Sequence, residues 1–274
     1  MSARGHCARP NTGMGLPPLV TVRGDWRHGG NGAKRYPSKY LSEEKNSMSS
    51  AQNTSNILGA VFLMQATTSL VSGVILMGLL APANMNDILF NIANHAWLMR
   101  ANIFGEMITA LGVIFLGAML FVVLRKQNEK MALVALGFYI LEAVLLAVSR
   151  IQAFSLVGIS QEYVIQGRLN YLQSMGSVAL ASMDFGYKLL MFPFCLGAIL
   201  FYYLFYESRM IPRWLSLWGL VAVCILLIAT FFSVAGYNVP FFVYVPYIPF
   251  EFVVGAWILA KGLANGTPGE GATA

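Results

Sequence analysis

Long apolar stretches separated by short polar segments occupy the chain from residue 57 onward. Each is close to the ~20 residues with which an α-helix crosses ~30 Å of hydrocarbon. Six such stretches cover residues 57–80, 101–124, 131–150, 185–206, 214–236 and 240–260. They are too long and too uniformly apolar for the strands of a membrane barrel, which alternate over about ten residues. The pattern therefore predicts an all-α polytopic membrane protein, a bundle of six transmembrane helices.

The longest connection between these stretches covers residues 151–183. Leu169, Leu172, Met175 and Ala179 recur there at helical spacing, with polar residues between them. This spacing predicts an interfacial helix that lies on the bundle or on the membrane surface.

The two ends of the chain differ in composition from the apolar region. Residues 1–55 have no long apolar run and many Gly, Pro, Asn, Ser and basic residues, which predicts a disordered extension. A transit peptide is an alternative, because the segment is rich in Arg and poor in acids. We favour a third interpretation, in which translation starts at Met48, since residues 43–45 allow purine-rich codons that resemble a bacterial ribosome-binding site. A transmembrane domain over 56–262 and a flexible tail over 263–274 complete the predicted organisation.

Composition indicates the partners of the protein. Hydrophobic residues make up 57% of the chain and charged residues only 11%, whereas soluble domains carry roughly a quarter charged residues. The lipid bilayer is therefore the first partner. The net charge of +6 is concentrated before Met48, where the chain has eight basic and three acidic residues. No basic patch interleaved with aromatic residues follows, so nucleic-acid binding is not predicted.

Basic residues are distributed unevenly among the connections. The turns at 125–130 and 207–213 are basic, and so is the N-terminal segment, whereas 82–100 holds only Arg100 and 237–240 holds no basic residue. Cytoplasmic loops of membrane proteins carry the excess of Lys and Arg. We therefore predict a multi-pass protein of the plasma (cytoplasmic) membrane with both termini in the cytoplasm.

Two phrases in the last third of the chain resemble a known family. One is SRMIPRWL at 208–215, continuing as WGL at 218–220, and the other is Glu251 followed by AWILAKG at 256–262. With the six-span layout, they resemble an uncharacterised bacterial membrane family catalogued as domain of unknown function 4386. The resemblance implies a multi-pass membrane fold and covers nothing before Met48. It implies no activity, because the family has none assigned.

Motifs of membrane enzymes are missing from the apolar region. His95 is the only histidine after Met48, so haem ligation by paired histidines is not predicted. The chain has no H-E-x-x-H of zinc proteases, no G-x-S-x-G of serine hydrolases and no P-loop. The three cysteines, Cys7, Cys195 and Cys224, indicate neither a disulfide framework nor a zinc site. We predict no cofactor and no metal, and an enzyme is the less favoured interpretation.

Ionisable residues in and beside the predicted spans are the main candidates for chemistry. A charge at the bilayer centre costs ~2.5–3.5 kcal/mol on insertion scales, so such side chains face the bundle interior by default. The candidate polar cavity consists of Glu106, Glu142, Arg150, Asp184, Lys188 and Glu251. At 1.5 Å per residue these groups fall near the midplane or in the outer half, which predicts a cavity open to the outside. Asp184 precedes Lys188 by four residues, a spacing that favours an ion pair.

Three prolines precede Glu251, namely Pro240, Pro246 and Pro249. Internal prolines break or kink a helix. Broken helices near the midplane mark binding sites in many transporters, and a simple kinked helix is the alternative. If regular helix begins near Pro249, Glu251 lies in its first turn, where the helix dipole favours a carboxylate.

Three functions remain open. The leading hypothesis is a membrane protein that binds or transports a small molecule or an ion through the polar cavity. The alternative is a non-transporting scaffold or regulatory subunit whose buried charges serve packing and assembly. An intramembrane enzyme ranks third. We also expect Glu142 and Glu251 to face one another across the interior, with Lys188 or Arg150 compensating one of them.

Overall fold

The computed structural model of the protein describes residues 38–264, and helices account for most of them. The elements are α1 (Ser38–Leu79), α2 (Met85–Asn94), α3 (Ala96–Leu124), α4 (Glu129–Ile165), α5 (Asn170–Ser208), α6 (Arg213–Val234) and α7 (Tyr247–Lys261), with a 3₁₀ turn at Phe241–Val243. No strand occurs within the described range, and the all-α class is confirmed. α1 begins inside the segment 1–55 for which disorder is predicted. Residues 1–37 and the tail after Ala264 lie outside the described residues.

Five helices are long and apolar enough to cross a membrane. They are residues Gln52–Leu79 of α1 and the whole of α3, α4, α5 and α6. The sixth predicted span, 240–260, consists of the 3₁₀ turn and α7, which has 15 residues and is therefore about 22 Å long. That length is less than the ~30 Å of the hydrocarbon layer. The protein is membrane-embedded with five full-length candidate spans, and the count of six is not confirmed.

Close helix contacts at small residues hold the bundle together. Gly59 of α1 lies against the main chain of Gly255 and Leu259 in α7. Asn102 of α3 donates a hydrogen bond from Nδ2 to the Ser72 carbonyl of α1, at 2.7 Å. Small residues let helix backbones approach, and polar side chains bond across such interfaces. Because α3, α4, α5, α6 and α7 also pack in chain order, the helices close into a ring around a shared interior.

The chain enters and leaves the membrane domain at the same end of the bundle. The N–H of Ala264 donates to the Met210 carbonyl at 3.0 Å, and the N–H of Leu263 donates to Ser55 Oγ at 3.1 Å. Met210 lies in the turn between α5 and α6, one of the two basic turns. We call this end, marked by Ser55, Met210 and Ala264, the basic end, and the other the opposite end.

The prediction that residues 151–183 form a connection between two membrane spans is wrong. α4 continues to Ile165 and α5 begins at Asn170, so the two helices are 37 and 39 residues long. At 1.5 Å per residue each measures more than about 55 Å, well beyond the hydrocarbon layer. The two helices therefore extend past the membrane at the opposite end as a helical hairpin.

A second hydrophobic core explains why this hairpin is helical. The core includes Leu89, Ile92, Leu156, Tyr163, Leu172 and Ala179. It joins α4 and α5 to α2, which forms where the sequence predicts only a loop. A hydrogen bond also links α4 to α2, because the Tyr163 hydroxyl donates to Asn86 Oδ1 at 2.8 Å. Of the apolar stripe assigned to an interfacial helix, Leu172 and Ala179 lie in this core, whereas Leu169 and Met175 are exposed. We define α2 plus residues 151–183 as the cap.

Candidate ligand site in the bundle interior

The membrane helices place polar side chains inside and large apolar side chains outside. The buried polar residues of α1, α3 and α4 include Gln65, Ser72, Asn102, Glu106, Thr109, Glu142, Ser149 and Arg150. The other face of α3 exposes Phe104, Ile108 and Leu111. Lipid covers an apolar outer surface of this kind, whereas polar groups need partners inside the protein. The interior polar stripe on these three helices is therefore the candidate site.

Glu106, Ser149 and Arg150 form the part of the site nearer the opposite end, which we call the Arg150 cluster. Arg150 is only 4% exposed. Its Nε and one Nη donate to Ser149 Oγ, at 3.1 Å and 3.0 Å. Glu106 is 9% exposed, and Arg150 is the charged group that acts on it. No ion pair within 4 Å joins the two among the described residues, so the guanidinium keeps N–H donors for another acceptor.

Glu142 and Glu251 form a second, deeper part of the site. Glu142 lies eight residues before Arg150 on α4, a distance of about 12 Å along the helix. It is 7% exposed, and its Oε2 has no hydrogen-bond partner. The charged group that acts on Glu142 is the carboxylate of Glu251.

Two tyrosines complete this deeper part. The Tyr247 side chain lies near the Glu251 carboxyl, and the hydroxyls of Tyr247 and Tyr202 are 2.9 Å apart. Either hydroxyl can be the donor in the bond between the two tyrosines. We call Glu142, Glu251, Tyr247 and Tyr202 the Glu142 cluster.

Asp184 and Lys188 form an ion pair on the surface of α5. Lys188 Nζ lies 2.8 Å from Asp184 Oδ2, and the two side chains are 33% and 60% exposed. The pair predicted from the four-residue spacing is present. It leaves Lys188 engaged away from the interior glutamates, and over residues 52–264 no basic side chain makes an ion pair with Glu142 or Glu251. The six predicted residues thus divide into three pairs, two of them interior.

The start of α7 changes the interpretation of Glu251. The helix begins at Tyr247, directly after Pro246, so Glu251 lies in its second turn. The dipole effect is confined to the first turn, and the polar neighbour of the Glu251 carboxyl is Tyr247. Tyr247 precedes Glu251 by four residues and shares its face, a spacing visible in the sequence. Tyr202 lies on α5, and no spacing in the sequence connects it with Glu251.

Comparison with known proteins gives one match over most of the chain. A family model described as "Domain of unknown function (DUF4386)" matches residues 57–262. The match includes both interior clusters. No curated protein and no solved structure matches the chain.

Proposed function

We propose that this protein, which belongs to the DUF4386 family, binds a small polar molecule or an ion inside its membrane domain and carries it across the bilayer. The description of the family names no substrate, so the proposal rests on the interior of the bundle. Polar groups there come from several helices and are separated from lipid by the apolar outer surface.

One observation carries the proposal. Glu106, Glu142 and Arg150 are each less than a tenth exposed, and none has an oppositely charged side chain within 4 Å in the described part of the chain. A buried charge without a partner costs several kcal/mol. Structural charges in a membrane bundle would be expected in close pairs, whereas a binding site keeps charges available for a ligand. The free donors of Arg150 and the free oxygen of Glu142 fit the second description.

We further propose that the basic end lies in the cytoplasm of a bacterial cell and that the clusters are reached from the outside. The support is the excess of Lys and Arg in the turns at the basic end. A phosphatase that is active only outside the cytoplasm, fused after Gly262, is expected to be inactive. The same reporter inserted after Gly167, in the turn of the cap, is expected to be active. The reverse pattern would overturn the orientation.

A non-transporting scaffold or regulatory subunit is the second candidate. The cap favours it, because α4 and α5 extend beyond the hydrocarbon layer and expose Tyr171, Met175 and Val178 on one face of α5. Such a face on a projecting hairpin is suited to a protein partner. On this hypothesis the interior charges only hold the helices together.

The two functions predict different results for a doubly neutral variant. We expect Glu106→Gln combined with Arg150→Gln to fold but to lose a bound small molecule that copurifies with the wild type. Mass spectrometry of extracts from gently solubilised protein, with thermal unfolding as the test of folding, measures both properties. Asp184→Asn combined with Lys188→Met removes the same charges from the surface and serves as the matched control, which keeps the ligand. Identical small-molecule contents in all three proteins would exclude the Arg150 cluster as a ligand site and favour the scaffold.

A further inference from the structure

The Glu142 cluster lies close to the middle of the membrane domain. Glu142 is 11 residues from Met131, near the start of α4, and Glu251 is 10 residues from Lys261, the last residue of α7. Both carboxyls therefore lie about 15–17 Å from the basic end, half the thickness of the ~30 Å hydrocarbon layer. Two negative charges at this depth would be strongly unfavourable without a compensating cation.

No cationic side chain supplies that compensation. Lys188 is paired with Asp184 on the surface, and Arg150 bonds to Ser149 and acts on Glu106. The titratable groups near the two glutamates are Tyr139 from α4, Tyr187, Cys195 and Tyr202 from α5, and Tyr247 from α7. All five of these are neutral in their ordinary protonated form.

The two carboxyls of the Glu142 cluster have different polar neighbours. Glu251 has Tyr247 beside its carboxyl, and the Tyr247 hydroxyl is hydrogen-bonded to the Tyr202 hydroxyl. Glu142 Oε2 is buried and has no partner. A donor is therefore missing at Glu142, and a proton on this carboxyl would remove a buried negative charge that no cation compensates. Because the charge of Glu251 also acts on Glu142, the two carboxyls do not easily ionise together.

We infer that Glu142 and Glu251 form a proton-carrying pair, which holds at least one proton between them at neutral pH and exchanges it with the solution. In the exchange, one O–H bond of a hydronium ion breaks, the proton forms a new O–H bond with a carboxylate oxygen, and a water molecule leaves. Glu251 is partly exposed, so the exchange begins at its carboxyl. The role of the pair rests on the proposed function, in which the proton is the ion coupled to movement of the solute.

A hydrophobic carbodiimide tests this inference without knowledge of the solute. Dicyclohexylcarbodiimide reacts with protonated carboxyls in an apolar environment and leaves a stable acylurea, which is located by peptide mass spectrometry. We expect the label on Glu142 or Glu251 at neutral pH, and less label as the pH is raised. Glu142→Gln combined with Glu251→Gln is expected to abolish the label. Glu162→Gln, which removes an exposed acid of the same helix in the cap, is expected to leave it unchanged.

Two results would overturn the proton-carrying pair. One is the absence of label on both glutamates at every pH in the folded wild-type protein. The other is label that is lost on addition of Na⁺ and is insensitive to pH, which would make the pair a metal-cation site. The wild type alone gives both readouts, so a variant that fails to fold does not affect them. Label on the pair with no ligand loss in the Arg150 cluster variant would remove the proposed solute site and leave this inference standing.

Discussion

Gly59→Ala is expected to lower the stability of the membrane domain more than any other small substitution in α1. A Cβ at this position would lie 2.7 Å from the Leu259 nitrogen and 2.9 Å from the Gly255 oxygen. Both are main-chain atoms of α7, so a side-chain rotation cannot relieve the overlap. α1 would have to move away from α7 along their shared interface, and overpacking of this kind costs about 1–3 kcal/mol.

Gly73→Ala is the matched control for that substitution. Gly73 lies in the same helix, and a Cβ there would meet nothing within 4 Å. Alanine favours helix over glycine by up to about 1 kcal/mol, so this variant should be as stable as the wild type or slightly more so. Thermal unfolding in detergent, followed by size-exclusion chromatography, compares the two. Equal midpoints for both variants would show that the contact between α1 and α7 is not tightly packed.

Arg150→Gln is expected to destabilise the protein, and an added Glu106→Gln is expected to restore most of the loss. Removal of the guanidinium leaves Glu106 as a buried negative charge without the one cationic group that acts on it. Neutralising Glu106 as well removes this uncompensated buried charge. In a double-mutant cycle, the interaction free energy between the two residues should be about 1–3 kcal/mol.

The exposed pair on α5 gives the comparison for this cycle. Lys188→Met should cost little, because partly exposed i,i+4 ion pairs contribute about 0.3–0.5 kcal/mol. Combined with Glu106→Gln, its effect should be additive, since Lys188 is paired with Asp184. Denaturation midpoints of the wild type, the three single variants and the two double variants are sufficient. If the Arg150 and Glu106 effects were also additive, the two charges would be independent and the Arg150 cluster would not be a unit.

Sequence periodicity predicted which side chains face inward, because in membrane helices the polar side chains face the protein interior and the apolar side chains face lipid. A side chain that carries a charge in an apolar helix has to avoid lipid. Glu106, Glu142 and Arg150 were therefore predicted to be buried, and they are. The four-residue spacing also predicted the pair of Lys188 with Asp184. Neighbours on other helices could not be predicted in this way, and no ion pair of Lys188 or Arg150 with Glu142 or Glu251 occurs over residues 52–264.

The limits of the helices were predicted where composition changes sharply and missed where it does not. The α3–α4 and α5–α6 turns lie at the predicted basic segments, where charge and proline interrupt the apolar runs. The cap was missed because residues 151–183 are only moderately apolar. Such a segment is equally consistent with a surface helix, and only the presence of α2 opposite it provides a core to pack against.

The sequence by itself determined the class of this protein, its apolar outer surface and the set of buried charges, because the cost of polar groups in hydrocarbon acts on each helix separately. The tertiary structure alone decided which helices approach closely at glycine, that a hairpin projects beyond the membrane, and that the charged group acting on Glu142 is Glu251 rather than a cation. These features depend on residues far apart in the chain, such as Gly59 and Leu259. No local pattern encodes such contacts, since each is fixed by how the whole ring of helices closes.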